Sequence, residues 1–352
     1  MLTTFSLFND LEMNQWDNFV KSHPEGTIFH LSYWIRTIYE TYSIEPLLYV
    51  DKENDHDKIS GIVPFFLIKS PLIGSRLVSL PFSDYCGPLL EDKSKESEFI
   101  STIIDQHKKK VNYIEIRSNL QNNNGLICHN YYKGHTLELL PDPADVMAKL
   151  EKKSIRYGIR KAKKSGIVIK EDNTQSGIEE FYRLNRMTRQ KHGVPSQPAK
   201  FFQKFFDHMI LSGNAFILLA VDDSKVVATG VFSKLNDTVY YKYNASDTEY
   251  LATTKKTPNH LLTWHAIEKA CQEGYKFFDF GRTSPDNAGL VRYKEMWGCK
   301  PYNLPHYYYP EIKGSTSTKE NSLSYRILTS TWRALPDSCK KIIEPMIYKH
   351  MA

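Results

Sequence analysis

Long hydrophobic runs and paired cysteines are missing from this sequence of 352 residues. No uninterrupted apolar run reaches about 18 residues, so we do not expect a membrane-spanning helix. Residues 1–5 have no basic stretch followed by an apolar segment, so we do not expect a secretory signal. The five cysteines are dispersed and none forms a C-x-x-C pair, which is typical of reduced thiols in a cytosolic protein.

The usual signatures of metal and nucleotide sites are also missing. The twelve histidines show no H-x₃-H spacing, so the sequence predicts no metal site. It contains neither a G-x-x-x-x-G-K-[ST] loop nor a G-x-G-x-x-G turn, the common marks of ATP and dinucleotide binding. We therefore expect no tightly bound cofactor. A hydrophobic content of 41% with 24% charged residues excludes a disordered or low-complexity chain and allows two domains with real cores.

The net charge of +6 is distributed unevenly along the chain. Residues 149–166 hold eight lysines and arginines against one glutamate, a net charge of +7. Residues 313–352 have a net charge of +4, which leaves −5 on the rest of the chain. Positive charge is therefore concentrated in two segments of an otherwise slightly acidic protein.

Two stretches of the sequence share one order of predicted elements. The first predicts strands at 46–51 and 58–65, an apolar segment at 77–90, a helix at 96–110 and a strand at 113–117. The second predicts strands at 215–222, 226–232 and 239–244, a helix at 258–273 and a strand at 276–282. Gly61 precedes Arg117 by 56 residues, and Gly230 precedes Arg282 by 52. The pattern favours a duplicated mixed α/β unit, with chance similarity as the open alternative.

Proline-rich residues 141–143 make a natural boundary between the two copies. We therefore expect an N-terminal domain at 1–142, a C-terminal domain at 143–312 and a short basic tail at 313–352. The tail alternates apolar and basic residues, with Pro336 and Pro345 as interruptions, and predicts short amphipathic helices. They either dock onto the body of the protein or touch an anionic membrane surface.

The basic segment at 149–166 predicts a helix with one cationic face. Lys149, Lys153, Arg156, Arg160 and Lys163 are spaced four and three residues apart, which places them on one side of a helix. Gly158 weakens a helix by about 1 kcal/mol, so the helix can break there. Charges this dense favour an anionic partner such as the phosphates of a nucleotide, a lipid diphosphate or tRNA. A solvated helix face is the alternative.

Several motifs resemble the Fem-type (FemAB-like) aminoacyl and acyl transferases, in the branch with a biotin-synthesis-enzyme-like acetyltransferase domain. They lie at 156–166, 188–195, 243–246, 258–262 and 278–283, with Gly-Leu-x-x-Tyr-Lys-x-x-Trp-Gly at 289–298. The similarity is strongest over about 145–310 and weaker over 1–140. It implies an α/β fold of tandem GNAT-like domains, in agreement with the repeat.

The resemblance implies transfer of an acyl or aminoacyl group to an amine of a cell-wall precursor, as in peptidoglycan-bridge synthesis. The co-substrate is then aminoacyl-tRNA or acyl-CoA, and the acceptor is a diphosphate-containing envelope precursor. The chain lacks the long coiled-coil arm of some Fem proteins and is similar to the compact members. Acyl-CoA-dependent N-acylation of an amino sugar in surface polysaccharide synthesis is the alternative, and a non-catalytic anion or RNA binder is a third. The expected location is the cytoplasm, with peripheral contact at the inner membrane face left open.

The reaction needs stabilisation of the oxyanion of the tetrahedral intermediate, and a buried cation aimed at that oxygen can supply it. By resemblance Lys294 has this role, with a surface lysine as the alternative. Asp279 is expected to orient a basic neighbour or accept a proton. The expected substrate-binding residues are Arg282, Arg160, Lys161, Arg156, Tyr243, Asn259, Trp297 and Tyr85, and the two aromatic residues Tyr243 and Trp297 equally suit a core. Asn259 follows Pro258 at a predicted helix N-terminus, which favours anions.

Overall fold

The computed structural model describes residues 2–53, 58–71, 74–123, 125–311 and 323–351. The strands are β1 (Leu2–Phe5), β2 (Glu45–Lys52), β3 (Ile59–Ser70), β4 (Gly74–Val78), β5 (Leu89–Leu90), β6 (Tyr113–Arg117), β7 (Ile127–Glu138), β8 (Val168–Glu171), β9 (Ala215–Asp222), β10 (Lys225–Leu235), β11 (Thr238–Ser246), β12 (Phe277–Asp279) and β13 (Lys300–Tyr309). The helices are α1 (Asp10–Ser22), α2 (Ser32–Tyr42), α3 (Glu96–His107), α4 (Pro143–Lys149), α5 (Tyr157–Lys164), α6 (Gln175–His192), α7 (Ala199–Phe205), α8 (Thr248–Thr254), α9 (Pro258–Gln272), α10 (Ala288–Met296), α11 (Leu323–Ala334) and α12 (Asp337–Met351). Lys152–Arg156 and Phe206–Ile210 form π-helical turns.

The chain is divided into two compact units, each assembled from more than one segment. The first unit comprises Met1–Tyr132, Asn303–Thr318 and Pro345–Ala352. The second comprises Lys133–Tyr302 and Lys319–Glu344. The chain thus passes from one unit to the other within β7 and within β13. The boundaries expected at 142 and 312 stay predictions about where independently folding domains end.

The first unit is built on a mixed sheet. Its strands run in the order β1, β2, β3, β4, β6 and β13, with β5 beside β3, and the β4–β6 pair is parallel. The continuous apolar run of β3 is buried on both faces, as a central strand requires. Phe99 and Ile103 of α3 pack in one core cluster with Phe65 of β3 and Ile114 of β6.

The second unit is built on a mixed sheet of its own. The strand order is β7, β12, β11, β10, β9 and β8, and the β11–β12 pair is parallel. Helix α9 packs on β9 and β10 through an apolar face that includes Leu262 and Ile267. A Cβ at Gly230 of β10 would lie 2.8 Å from Leu262 Cδ2, so glycine permits this close approach.

The two units repeat one pairing scheme, as the predicted duplication requires. In the first, β2 pairs with β3 and β3 with β4, both antiparallel, and β4 pairs with β6 in parallel after the crossover through α3. In the second, β9, β10 and β11 pair antiparallel, and β11 pairs with β12 in parallel after the crossover through α9. The parallel pair follows the helix in both units because a helical crossover returns the chain in the same direction.

The basic segment is not the single helix that the charge spacing predicts. Helix α4 ends at Lys149, and Leu150 is extended with φ −69° and ψ 150°. Glu151 then caps the π-helical turn that leads into α5. The chain does not break at Gly158, which lies inside α5. Lys149 belongs to a different helix from Arg160.

The C-terminal tail forms two helices as expected. Pro336 lies between α11 and α12, whereas Pro345 lies within α12 and does not end it. In the second unit Trp332 is buried, and the Ser196 amide donates to Glu344 Oε1 at 3.1 Å. These contacts support docking of this part of the tail. Residues 312–322, which include the start of the predicted tail, lie outside the described residues.

Candidate active site in the second unit

A tight turn follows β12 and carries two of the predicted site residues. Asp279 is buried at the end of the strand, and its Oδ1 accepts a hydrogen bond from the Gly281 amide at 2.7 Å. Gly281 adopts φ +70°, a backbone conformation that favours glycine. The turn therefore presents Arg282 at its exit with part of its side chain exposed.

Lys294 is buried against this turn. It lies on α10, which begins after Asn287, and only 6% of the residue is exposed. Its ammonium donates to the Gly281 carbonyl at 2.9 Å and to the Arg282 carbonyl at 3.2 Å. The expected alternative of a surface lysine is therefore wrong. A positive charge is held at the end of β12, next to the backbone that positions Arg282.

The pKa of the buried Cys299 thiol responds to the charges of both predicted catalytic residues. Burial raises the pKa of Cys299 well above its usual value. The positive charge of Lys294 lowers that pKa, and the negative charge of Asp279 raises it. Both charged groups therefore act on one buried region at the carboxyl end of β12.

His135 is a neighbour of this turn that the sequence did not single out. It lies on β7 with no exposed surface, and its carbonyl accepts from the Phe280 amide at 2.9 Å. Neither ring nitrogen makes a hydrogen bond of good geometry within the part of the chain that the structure describes. Burial and the charge of Lys294 lower the pKa of His135 to about 4, so the imidazole is neutral at physiological pH.

His260 joins the start of α9 to two other helices of the site. Its ring lies 6.3 Å from the Trp297 ring and 5.9 Å from the Tyr293 ring, measured between centroids. A Cβ at Gly158 of α5 would lie 2.7 Å from His260 Cδ2, so α5 approaches closely there. The Thr257 hydroxyl donates to the Gly158 carbonyl at 2.7 Å instead of capping α9. Thr257 thus joins the start of α9 to α5.

The side chain of Asn259 is engaged with the end of β11. The Ser246 hydroxyl and the Asn259 amide are hydrogen-bonded at 2.8 to 3.0 Å. The Ser246 amide in turn donates to the Thr188 hydroxyl of α6 at 3.0 Å. Asn259 thus fixes α9 to its neighbours, and an anion at this helix N-terminus would contact the backbone instead.

The three predicted phosphate-binding cations lie along the π-helical turn and α5. Arg160 is exposed, and Arg156 and Lys161 are partly exposed. Ile155 and Ile159 on the opposite side are buried in the core of the unit. The cations therefore share the outward side of a segment whose inner side packs near the start of α9.

Of the two aromatic candidates that also suit a core, Trp297 lies in the interior and Tyr243 is partly exposed. Trp297 is fully buried and its ring centroid lies 5.8 Å from that of Phe280. The Tyr243 ring is surrounded by phenylalanines of α6 and α7, with centroids 5.6 to 6.3 Å away. The full burial of Trp297 corresponds to the core alternative that the sequence left open, and the role of Tyr243 stays a prediction.

Tyr85 belongs to the first unit, in a loop held by a buried arginine. The guanidinium of Arg117 donates to the carbonyls of Leu80 and Ser83, each at 3.3 Å. Leu80 has φ +64°, a strained value for leucine that these hydrogen bonds support. The Tyr85 ring packs edge-on against Phe29 at 5.8 Å and is only partly exposed.

The described residues show neither a metal-binding cluster nor a membrane-spanning helix. Within residues 2–53, 58–71, 74–123, 125–311 and 323–351, no group of three or more potential ligands could hold a metal ion. Across those same ranges, every helix is too short or too polar to cross a bilayer.

The sequence matches known proteins over most of its length. Residues 150–295 match the family model described as an acetyltransferase (GNAT) domain. The chain is 21% identical to the lipid II:glycine glycyltransferase of Staphylococcus saprophyticus and 22% identical to that of Staphylococcus haemolyticus. Each alignment covers 80% of this chain and 87% of the relative.

Solved structures share the fold. The FemX crystal structure has a TM-score of 0.68 at 16% identity and covers 88% of this chain and 97% of its own. A tandem GNAT protein from the clavulanic acid biosynthesis pathway has a TM-score of 0.54 at 10% identity and covers 90% and 99%. The expected tandem GNAT fold and the Fem-type resemblance are confirmed. These matches give no support to the surface polysaccharide alternative.

Proposed function

We propose that this chain, a Fem-type acyltransferase of the GNAT superfamily, transfers an aminoacyl group from aminoacyl-tRNA to an amine of a diphosphate-containing peptidoglycan precursor. The acceptor class is supported by the two staphylococcal relatives, which are named lipid II:glycine glycyltransferases. The transfer chemistry is supported by the GNAT domain at 150–295. The donor follows from the Fem-type resemblance.

The placement of Lys294 carries this proposal. A lysine ammonium is costly to bury, and here it is held by two neutral carbonyls at the exit of β12. Those hydrogen bonds fix the position of the ammonium at the end of β12. A fixed charge in a site of low dielectric stabilises a developing oxyanion far more than a solvated one does.

The reaction then needs few groups from the protein. The amine nitrogen of the acceptor attacks the ester carbonyl carbon of the donor, and Lys294 stabilises the negative charge on the carbonyl oxygen. The carbon–oxygen bond to the ribose breaks, and the amine proton passes to the departing ribose oxygen. Asp279 maintains the turn by accepting from the Gly281 amide, and so it positions the carbonyls that hold Lys294.

Arg282 and the cations of the π-helical turn and α5 are suited to the acceptor diphosphate. Arg282 leaves the turn with an exposed part, and its guanidinium can bind two phosphate oxygens at once. Arg160 and Lys161 on α5 add charge on the segment that packs against His260. Arg156 lies on the π-helical turn just before them.

The test is transfer from charged tRNA to lipid-linked muropeptide by the purified protein, with wild type and Lys294→Met compared. Losing one oxyanion donor typically lowers kcat by about 10²–10³-fold, and we expect a loss of this size. Lys300→Met is the matched control, because Lys300 is an exposed lysine of the same unit, and its activity should equal wild type. Turnover within threefold of wild type in folded Lys294→Met would show that the assigned role is wrong.

Folding and donor class need separate controls. Lys294→Met leaves two buried carbonyls without this donor, which costs about 1–3 kcal/mol, so thermal unfolding must accompany the assay. Lys294→Arg keeps the charge and should retain more turnover than the methionine variant. Acyl-CoA is offered in parallel, and product from acyl-CoA without tRNA would overturn the proposed donor.

A further inference from the structure

One side of the segment Lys152–Lys164 is covered by basic side chains, and we call it the basic face. It joins the π-helical turn to α5, and all its members are exposed or partly exposed. They are Lys152, Lys153, Arg156, Arg160, Lys161, Lys163 and Lys164. Tyr157, which is 55% exposed, stands among them.

The cations of the basic face lack acidic partners. Within the part of the chain that the structure describes, none of the seven forms a salt bridge. The nearby carboxylate of Glu151 accepts the Ser154 amide instead, as a helix cap. Some lysines elsewhere in the same unit are paired, as in Lys256–Asp222 at 2.6 Å and Lys276–Asp237 at 2.9 Å. The seven cations of the basic face instead form one cluster of neighbouring positive charges within 13 residues.

The apolar residues on the inner side of the same segment are buried in the core. Ile155, Ile159 and Ala162 are at most 2% exposed and belong to the core of the second unit. The segment therefore has no apolar stripe to insert into a lipid interior. Any partner must be recognised through charge at the outward side.

The composition of the face favours a phospholipid surface over a folded RNA. Five of the seven cations are lysines, which are compact, strongly hydrated charges without the bidentate geometry of arginine. Tyr157 is the only aromatic residue within 152–164, whereas sites for unpaired bases usually stack several. The segment is about 20 Å long at 1.5 Å per residue, long enough to meet several headgroups.

We propose that the basic face docks this chain on a bilayer rich in anionic phospholipid. The inference rests on the proposed function, because a lipid-linked acceptor is presented at such a surface. Gly158, on the buried inner side of the same segment, lies close to His260, whose ring also packs against Trp297 after α10. Docking through the basic face would therefore bring a lipid-linked diphosphate near the start of α9 and near α10, which carries Lys294.

The experiment is vesicle sedimentation with the full chain. Vesicles of phosphatidylcholine with 30% phosphatidylglycerol are compared with pure phosphatidylcholine at low and high salt. The test variant carries Lys153→Gln, Lys163→Gln and Lys164→Gln, and the matched control carries Lys191→Gln, Lys200→Gln and Lys300→Gln. Each basic residue at an anionic surface contributes about fivefold to partitioning, so we expect the test variant to bind about a hundredfold more weakly. The control should bind like wild type, and high salt should release both.

Acyl transfer separates this inference from the proposed function. We expect the test variant to lose transfer to acceptor in vesicles while it keeps wild-type transfer to a water-soluble, short-chain acceptor. Wild-type protein that transfers to neither acceptor would refute the proposed function, and vesicle binding would still be decided by sedimentation. Equal vesicle binding by test and control variants would overturn docking through this face. If the test variant loses tRNA binding but binds vesicles like wild type, the basic face is an RNA site and the proposed membrane docking is wrong.

Discussion

Glu115 of the first unit offers a quantitative test of a buried ion pair. Its carboxylate accepts from Arg117 Nε at 2.7 Å, and His306 Nδ1 lies 3.2 Å away. Burial alone would raise the pKa of Glu115, but Arg117 and His306 lower it to about 2. Glu115→Gln keeps the shape and an acceptor oxygen while it removes the charge.

The expected loss at pH 7 follows from linkage. The pKa of Glu115 falls from 4.5 to about 2 on folding. At about 1.36 kcal/mol per unit this corresponds to about 3 kcal/mol of stability. Removing one partner of a buried pair typically costs about 3–5 kcal/mol, a range that agrees. A carboxyl group whose pKa is lowered on folding stabilises the folded state at pH values above its unfolded pKa. The contribution of Glu115 is therefore complete above pH 4.5 and is lost as the pH falls toward 2.

The assay is urea unfolding followed by the fluorescence of buried Trp16 and Trp34 in the same unit. Asp105→Asn is the control, because its pair with Lys108 is exposed and such pairs contribute about 0–1 kcal/mol. A loss below 1 kcal/mol for Glu115→Gln at pH 7 would refute the reasoning. So would a difference from wild type that stays constant between pH 7 and pH 3.

Two further predictions concern the second unit. Gly158→Ala places a Cβ 2.7 Å from the His260 ring, and overpacking of about 1–3 kcal/mol exceeds the helix gain of about 1 kcal/mol, so Tm should fall. Gly289→Ala is the control, since its nearest contact is 4.0 Å away and its Tm should not fall; equal Tm values for the two variants would contradict the packing. His135, with a pKa of about 4, should show no proton NMR titration between pH 5.5 and 8. A titration midpoint near pH 6.5 would show that burial and the charge of Lys294 do not lower the pKa of His135.

Local signals in the sequence predicted much of the fold. The strand at Tyr113–Arg117 was predicted at its exact bounds, and α9 begins at Pro258 as its fixed φ favours. Gly274 follows α9 with φ +82°, the conformation that ends a helix without strain. Such features depend on neighbouring residues alone and can therefore be predicted from one sequence.

Charge periodicity was a poorer guide. It predicted one helical face from Lys149 to Lys163, whereas the helix is interrupted at Leu150. The glycine is needed because the His260 ring approaches from α9, a contact that sequence spacing does not reveal. The resemblance to a known family indicated Lys294 and Asp279, but no signal in the sequence distinguished His135 from the other histidines.

The sequence by itself determined the duplicated α/β scheme and the concentration of positive charge at 149–166, because both are properties of order along the chain. Only the tertiary structure decided that the Lys294 ammonium is buried on the carbonyls of Gly281 and Arg282. It also decided that His135 lies neutral beside that cation. Burial and the electrostatic effect of nearby charges depend on segments that meet only when the chain folds. Protonation states in the site are therefore set by the tertiary structure and not by its sequence motifs.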